Sequence, residues 1–193
     1  MPSAEDDALD RASQVAAPAP IPVWDVAVRL LHWTLAGAIA TAWTSTLDIG
    51  VPADWHERAG YTAVGCVALR LLWGVIGSRH ARFAEFVRGP RATWRYTVQV
   101  LRGTAPRHIG HNPLGGWMVL ALLLNVAGIV LTGWLQTTDR YWGSEPLEWV
   151  HTTLAWGLLG LIALHVAGVV LTSRHQGENL VKAMVDGRKM PPS

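Results

Sequence analysis

Four histidines lie within or at the edges of apolar segments. His32, His56 and His151, each taken alone, could be interfacial anchoring groups, whereas His165 sits deep in an otherwise apolar span. His151 and His165 share one apolar segment, Trp149 to Leu171, that carries no Asp, Glu, Lys or Arg. A titratable group in hydrocarbon is a functional hypothesis by default. On an α-helix their spacing of 14 residues turns through about 1400°, about 40° short of four full turns, so both imidazoles point to nearly the same face. Along the axis they are about 21 Å apart. No single ion touches both. The face between them presents Leu154, Ala155, Leu158, Leu161 and Ile162, with Gly157 and Gly160 nearby. A proton wire needs a polar chain between its ends, and this face is apolar. Two flat, greasy cofactors, one at each end of the segment, fit it.

Each cofactor metal then wants a second ligand at matching depth. His32 lies near the start of the first apolar stretch and His56 at the start of the second. Because successive spans run in opposite directions, His32 matches the depth of His165, and His56 that of His151. Neutral imidazole nitrogen is a standard haem ligand. A single cysteine, Cys66, excludes an intrachain disulfide, a Cys-based zinc site and covalent haem attachment through C-x-x-C-H. The expectation is two non-covalent b haems, each with two imidazoles. That ligation leaves no open position on the iron and suits electron transfer rather than oxygen binding. Zinc fits poorly, since no three of these residues meet at one depth.

Other residues are placed by the same reasoning. Arg70 follows His56 by 14 residues and shares its face, at the depth of the inner haem. There it can pair with a haem propionate, which offsets the cost of a buried cation; the alternative is that it snorkels to headgroups. Gly60, one turn after His56, leaves room for a ring to approach, or serves helix packing through small residues. Asn125 lies mid-span, to hydrogen-bond across helices or near a cofactor edge. Cys66 reads as a small packing residue. His80, His108 and His175 read as surface groups. His111, just before Asn112 and Pro113, is the one candidate near a quinone pocket.

The elements that must hold these residues are four apolar stretches: Val26 to Leu47, Trp55 to Ile76, Leu114 to Leu135 and Trp149 to Leu171. Each has the roughly 20 residues needed to cross a bilayer as a helix. Of the 193 residues, 50% are hydrophobic and 16% charged, against about 25% charged in soluble domains. Eleven Trp against two Phe fits membrane–water interfaces. The fold class expected is all-α, an integral membrane four-helix bundle. Residues 1 to 22, acidic then Ala/Pro-rich, have no basic start or apolar run of a secretory signal and read as a disordered tail. Residues 23 to 175 form the haem-binding bundle and 176 to 193 a cytoplasmic tail.

Charge sets the topology. Arg79, Arg82, Arg88, Arg91, Arg95, Arg102 and Arg107 fall in the middle loop. Arg174, Lys182, Arg188 and Lys189 fall in the C-terminal tail, and Arg11 at the N-terminus. Only Arg58 and Arg140 fall in the two opposite loops, so the balance is twelve against two. The positive-inside rule puts both termini and the middle loop in the cytoplasm of a bacterial inner membrane. After Pro90, Arg91 and Arg95 lie on one helical face while Trp94, Val98 and Leu101 share another, as in a short amphipathic helix on the membrane surface. Topology accounts for these arginines, so nucleic acid is not an expected partner.

The chain resembles bacterial cytochrome b561-type proteins, in the superfamily that includes the b-type cytochrome subunits of nickel-iron hydrogenases. The resemblance rests on VWDVAVRLLHW (23 to 33), HERAGYTAVGCVALRLLWGVIG (56 to 77), RFAEFV (82 to 87), GHNPLGGWM (110 to 118), LTGW (131 to 134), HTTLAWGLLGLIALHVAGVVL (151 to 171) and ENLVKAMVDGRK (178 to 189). It implies a four-helix bundle with two b haems, ligated from the first, second and fourth helices at His32, His56, His151 and His165. It also implies electron exchange between a membrane quinone, such as ubiquinone, and a redox partner that is a periplasmic or membrane protein. Hydrogenase members usually have a further span; the four found here favour the shorter type. One subgroup oxidises superoxide at the outer face and reduces quinone. Here Asp48, Asp54, Glu57, Asp139, Glu145 and Glu148 accompany Arg58 and Arg140 in the outer loops, which argues against steering an anion and for docking a basic periplasmic cytochrome. A haem-free transporter or scaffold is the competing class, and a colourless purified protein would favour it.

Overall fold

A computed structural model describes residues 19–47 and 49–191; Arg11, Asp48 and most of the expected N-terminal tail lie outside them. In chain order the elements are strand β1 (Ile21–Pro22), α1 (Val26–Thr44), α2 (Asp54–Ile76), α3 (Phe83–Phe86), α4 (Pro90–Leu101), α5 (Pro113–Gln136), α6 (Glu145–Gln176), α7 (Leu180–Asp186) and strand β2 (Arg188–Lys189). Helices α1, α2, α5 and α6 are long and apolar enough to cross a membrane, so the chain is an all-α membrane bundle as expected. Large apolar side chains such as Leu72, Val75, Leu124 and Leu164 are exposed around it, which suits a lipid surround rather than water.

The first three spans begin and end within three residues of the apolar stretches. Helix α6 differs. It is 32 residues long, about 48 Å, against a hydrocarbon core of about 30 Å. Its extra turns are polar: Glu145 and Glu148 in the first turn, Arg174 and His175 in the last. Those signs match the helix dipole, so the helix continues past the apolar stretch until Gly177 ends it at φ +63°.

Close packing among the spanning helices runs α1 to α2, α2 to α5 and α5 to α6; among the described residues α6 does not pack closely along α1 or α2. The mid-bundle core joins Ala63 and Val67 of α2 with Leu123 and Val126 of α5 and Leu158 of α6. Space is thus left between α6 and the α1–α2 pair, and that space carries the histidines.

One end of the bundle bears the arginine-rich segments. There a second core gathers Val23, Trp24, Val28, Ala81 and Ala183. The residues that were expected to be tail at both ends contribute to it: β1 pairs antiparallel with β2, Ile21 opposite Lys189 and Pro22 opposite Arg188. Ile21 and Ala183, both in segments read as tail, pack on this core. Asp25 caps α1, its Oδ1 accepting from the Val28 N–H at 2.8 Å, while Oδ2 accepts from Trp73 Nε1 at 2.9 Å and from the Ser78 hydroxyl. The start of α1 is thereby tied to the end of α2. Burial pushes the Asp25 carboxyl up, but these hydrogen bonds outweigh it and hold the pKa below its ordinary value. Helix α4 forms where the sequence predicts a surface helix, with Pro90 in its first turn and Tyr96 buried, while Trp94 and Leu101 remain exposed. Trp117 of α5 fastens it, Nε1 donating to the Arg88 carbonyl at 3.0 Å.

Candidate cofactor sites

At the arginine-poor end, His56 of α2 faces His151 of α6 with ring centroids 6.1 Å apart and planes inclined at 61°. Both line a cavity of about 610 Å³ that also includes Gly60, Gly133, Trp43 and Trp156. No atom lies within 4 Å of a Cβ built on Gly60, so this glycine opens onto the cavity and does not serve helix packing. A Cβ at Gly133 would stand 3.1 Å from His151 Cε1, so its absence lets the imidazole lie against α5.

The proton positions on these two rings follow from their neighbours. His56 Nδ1 is 2.9 Å from the Ala42 carbonyl oxygen, which can only accept, so Nδ1 carries the hydrogen. His151 Nδ1 is 3.0 Å from Thr132 Oγ1. That hydroxyl donates its own hydrogen to backbone carbonyls, Gly128 at 2.8 Å or Ile129 at 3.0 Å, and so accepts from His151. In both rings Nε2 is left as the basic nitrogen, the arrangement found when an imidazole ligates a metal through one nitrogen and is anchored through the other.

At the opposite end, His32 of α1 faces His165 of α6 with centroids 6.5 Å apart and planes at 51°. His32 Nδ1 is buried without a hydrogen-bond partner among the described residues. Arg70 lies at this end, 9% exposed, and so does not snorkel outward. Its Nη2 donates to the Ala81 carbonyl at 3.1 Å, its guanidinium lies 4.9 Å over the Phe83 ring, and Nη1 is buried with no partner among the described residues. His111 is wedged between Trp24 (4.6 Å) and Phe86 (4.9 Å). Burial, then the charges of Arg70, Lys189, His165 and His32, hold its pKa down to about 3; it is neutral at physiological pH.

Four of the histidines thus meet as His56–His151 and His32–His165, and Arg70 lies at the His32–His165 end. Of the remaining histidines, His175 is exposed; His108 has its ring edge-on to Tyr96 at 5.1 Å. Sequence reasoning missed Thr132, Gly133 and Lys189. Thr132 was findable: it lies four residues before the end of α5 and His151 six after the start of α6, hence at a similar depth. Asn125 faces α6, its Nδ2 3.5 Å from a Cβ built on Gly157, but its Oδ1 is buried with no hydrogen-bond partner among the described residues, so the expected hydrogen bond across helices is not made there.

The family described as prokaryotic cytochrome b561 matches residues 23–187. The chain belongs to this family. Among its relatives, the probable Ni/Fe-hydrogenase B-type cytochrome subunit of Azotobacter vinelandii is 28% identical over 141 residues, covering 56% of this chain and 58% of the relative. The protein of the same description from Cupriavidus necator is 30% identical over 139 residues, covering 58% and 56%. The chain spans little more than half the length of these curated relatives. No solved structure matches it. Membership of a b-type cytochrome family implies a b haem, and the residues present fit one. Each end of the bundle offers two facing imidazoles, with centroids 6.1 Å and 6.5 Å apart, and the outer pair lines a cavity of about 610 Å³.

Proposed function

We propose that the chain is a dihaem membrane cytochrome that carries electrons between a membrane quinone and a redox partner protein. The observation that carries this reading is the presence of two imidazole pairs, 6.1 Å and 6.5 Å between centroids, at opposite ends of one bundle. His56 and His151 would ligate one b haem, His32 and His165 the other, with Arg70 on a propionate of the second. When bound, a b haem supplies a reversible one-electron iron couple. The protein's part would be to supply two imidazoles to each haem, which suits electron transfer rather than the binding of small molecules. It also fixes the outer rings through Ala42 and Thr132, and keeps water from the apolar stretch between the pairs.

The charge balance supports a bacterial inner-membrane placement with both termini and α4 cytoplasmic, so that the His56–His151 site faces outward. The outer loops then present Asp54, Glu57, Asp139, Glu145 and Glu148. Arg58 is engaged by Asp54 at 3.0 Å. That acidic surface suits a basic periplasmic cytochrome or the electron-delivering subunit of a membrane enzyme, a hydrogenase among them, as the relatives' names suggest. It does not suit attraction of superoxide, which leaves superoxide:quinone oxidoreduction the weaker reading. Quinone would exchange electrons at the inner end, near the neutral His111.

Haem content and redox titration test the assignment. The purified parent chain should hold two b haems with separable potentials. His56→Ala or His151→Ala should lose the outer haem alone, and His32→Ala or His165→Ala the inner one alone. A chain with a single haem, or a His32→Ala variant with both haems at full occupancy, would refute it.

A further inference from the structure

The inner end of the bundle holds more positive charge than its own carboxylates balance. Arg70 leaves Nη1 buried and without a partner among the described residues. Lys189 is 6% exposed, and it has no hydrogen bond or ion pair from its ammonium among the described residues; its nearest feature is the Trp24 ring, 5.7 Å from Nζ. A lysine at a membrane surface ordinarily extends its ammonium into water, and a buried cation costs several kcal/mol unless an anion faces it. Two carboxylates lie within electrostatic reach, Asp25 of Arg70 and Glu178 of Lys189, but neither makes a hydrogen bond or ion pair to these cations among the described residues. Asp25 accepts from Val28, Trp73 and Ser78. Glu178 accepts from Arg107 at 3.1 Å and from the Met190 N–H at 2.9 Å.

The backbone holds Lys189 in this position. The Gly187 carbonyl accepts from the N–H groups of Val23 and Trp24, at 2.8 and 3.0 Å, latching the C-terminal segment to the start of the bundle. Gly187 turns the chain at φ +80°, and a Cβ there would crowd the Trp24 carbonyl and Arg29 Nε. In β2, side chains alternate between faces, so Arg188 points out and Lys189 in. From Lys189 an aromatic row runs through Trp24, His111 and Phe86 to Phe83, on which Arg70 rests. His111, midway, feels the charges of both cations and of both His32 and His165. The two cations therefore stand at the two ends of one aromatic row, with His111 between them.

We infer that Lys189, brought inward by the C-terminal strand, joins Arg70 to form a two-point carboxylate-binding end of the His32–His165 site, one cation for each propionate of the inner haem. The inference rests on the dihaem reading above. It makes the last strand of the chain a clasp over the inner cofactor, and not a tail.

The test follows haem transfer from the purified, haem-loaded chain to excess apomyoglobin, in nanodiscs of zwitterionic lipid and, in parallel, of zwitterionic lipid mixed with anionic lipid. Lys189→Gln should release one of the two haems about tenfold faster than the parent, and Lys189→Arg should restore slow release. Reloading with haem dimethyl ester, whose carboxylates are masked, provides an arm that needs no variant. The parent should release one ester as fast as Lys189→Gln releases haem, and Lys189→Gln should then add nothing. Three results would overturn the inference: release unchanged in Lys189→Gln; an equal effect of Lys189→Gln on the ester, which assigns the lysine to folding alone; or an effect seen only with anionic lipid, which assigns it to a lipid phosphate. A parent chain without an inner haem removes the dihaem reading as well, whereas two haems with an indifferent Lys189→Gln removes only this one.

Discussion

Replacing Thr132 by valine tests whether the outer site depends on an anchored imidazole. Valine keeps the β-branched shape, so the buried position on α5 stays filled and the helix is unchanged. What is lost is the acceptor 3.0 Å from His151 Nδ1. In the parent the Thr132 hydroxyl has its hydrogen committed to a backbone carbonyl, so the contact has a fixed direction and fixes the His151 tautomer. Without it, Nδ1–H faces a methyl group and the ring is free to move its proton to Nε2, the nitrogen that would bind iron on the proposed assignment. Loss of such an outer partner typically costs 10–100-fold in metal affinity, equivalent to about 1.4–2.8 kcal/mol. Competition for haem by apomyoglobin should therefore strip one haem from Thr132→Val about 10–100 times more readily. The potential of that same haem should shift, while the haem held by His32 and His165 keeps its behaviour. Equal weakening of both haems would show that the substitution acts through the fold. No change in either would refute the assignment of Thr132 as the anchor.

Two further substitutions separate packing from ligation. Gly60→Leu adds a side chain where a Cβ meets no atom within 4 Å, so the bundle should fold normally and hold one haem per chain in place of two; pyridine haemochrome quantification that still gave two would place the outer cofactor elsewhere. Asp25→Ala removes the cap of α1 and the acceptor shared by Trp73 and Ser78, and should destabilise the protein by about 1–3 kcal/mol in thermal unfolding in detergent. Because the folded carboxyl titrates below the ordinary 3.8, its contribution is fully present above that value and disappears as pH falls through the lower folded one. The parent should lose this share of stability in acid, and Asp25→Ala should lack that part of the pH dependence.

The spans, their alternation and the depth of each histidine were legible from the residues alone. Apolar run length and helical rise are local quantities, readable without knowing what packs where. Depth plus alternating direction sufficed to pair His32 with His165 and His56 with His151, and the same reasoning placed Arg70 at the inner end. Tertiary structure decided the rest. That α6 stands away from α1 and α2, leaving room between facing imidazoles, depends on which helices pack closely, and all four are apolar on every side. The partners of the ring nitrogens, Ala42 and Thr132, come from other helices. Lys189 and its exposed neighbour Arg188 look alike in the sequence. Only the meeting of the two chain ends, through hydrogen bonds to Gly187 from residues more than 160 positions away, turns one inward and the other out, because a strand's side-chain alternation gains a direction only when the strand has a face to pack against.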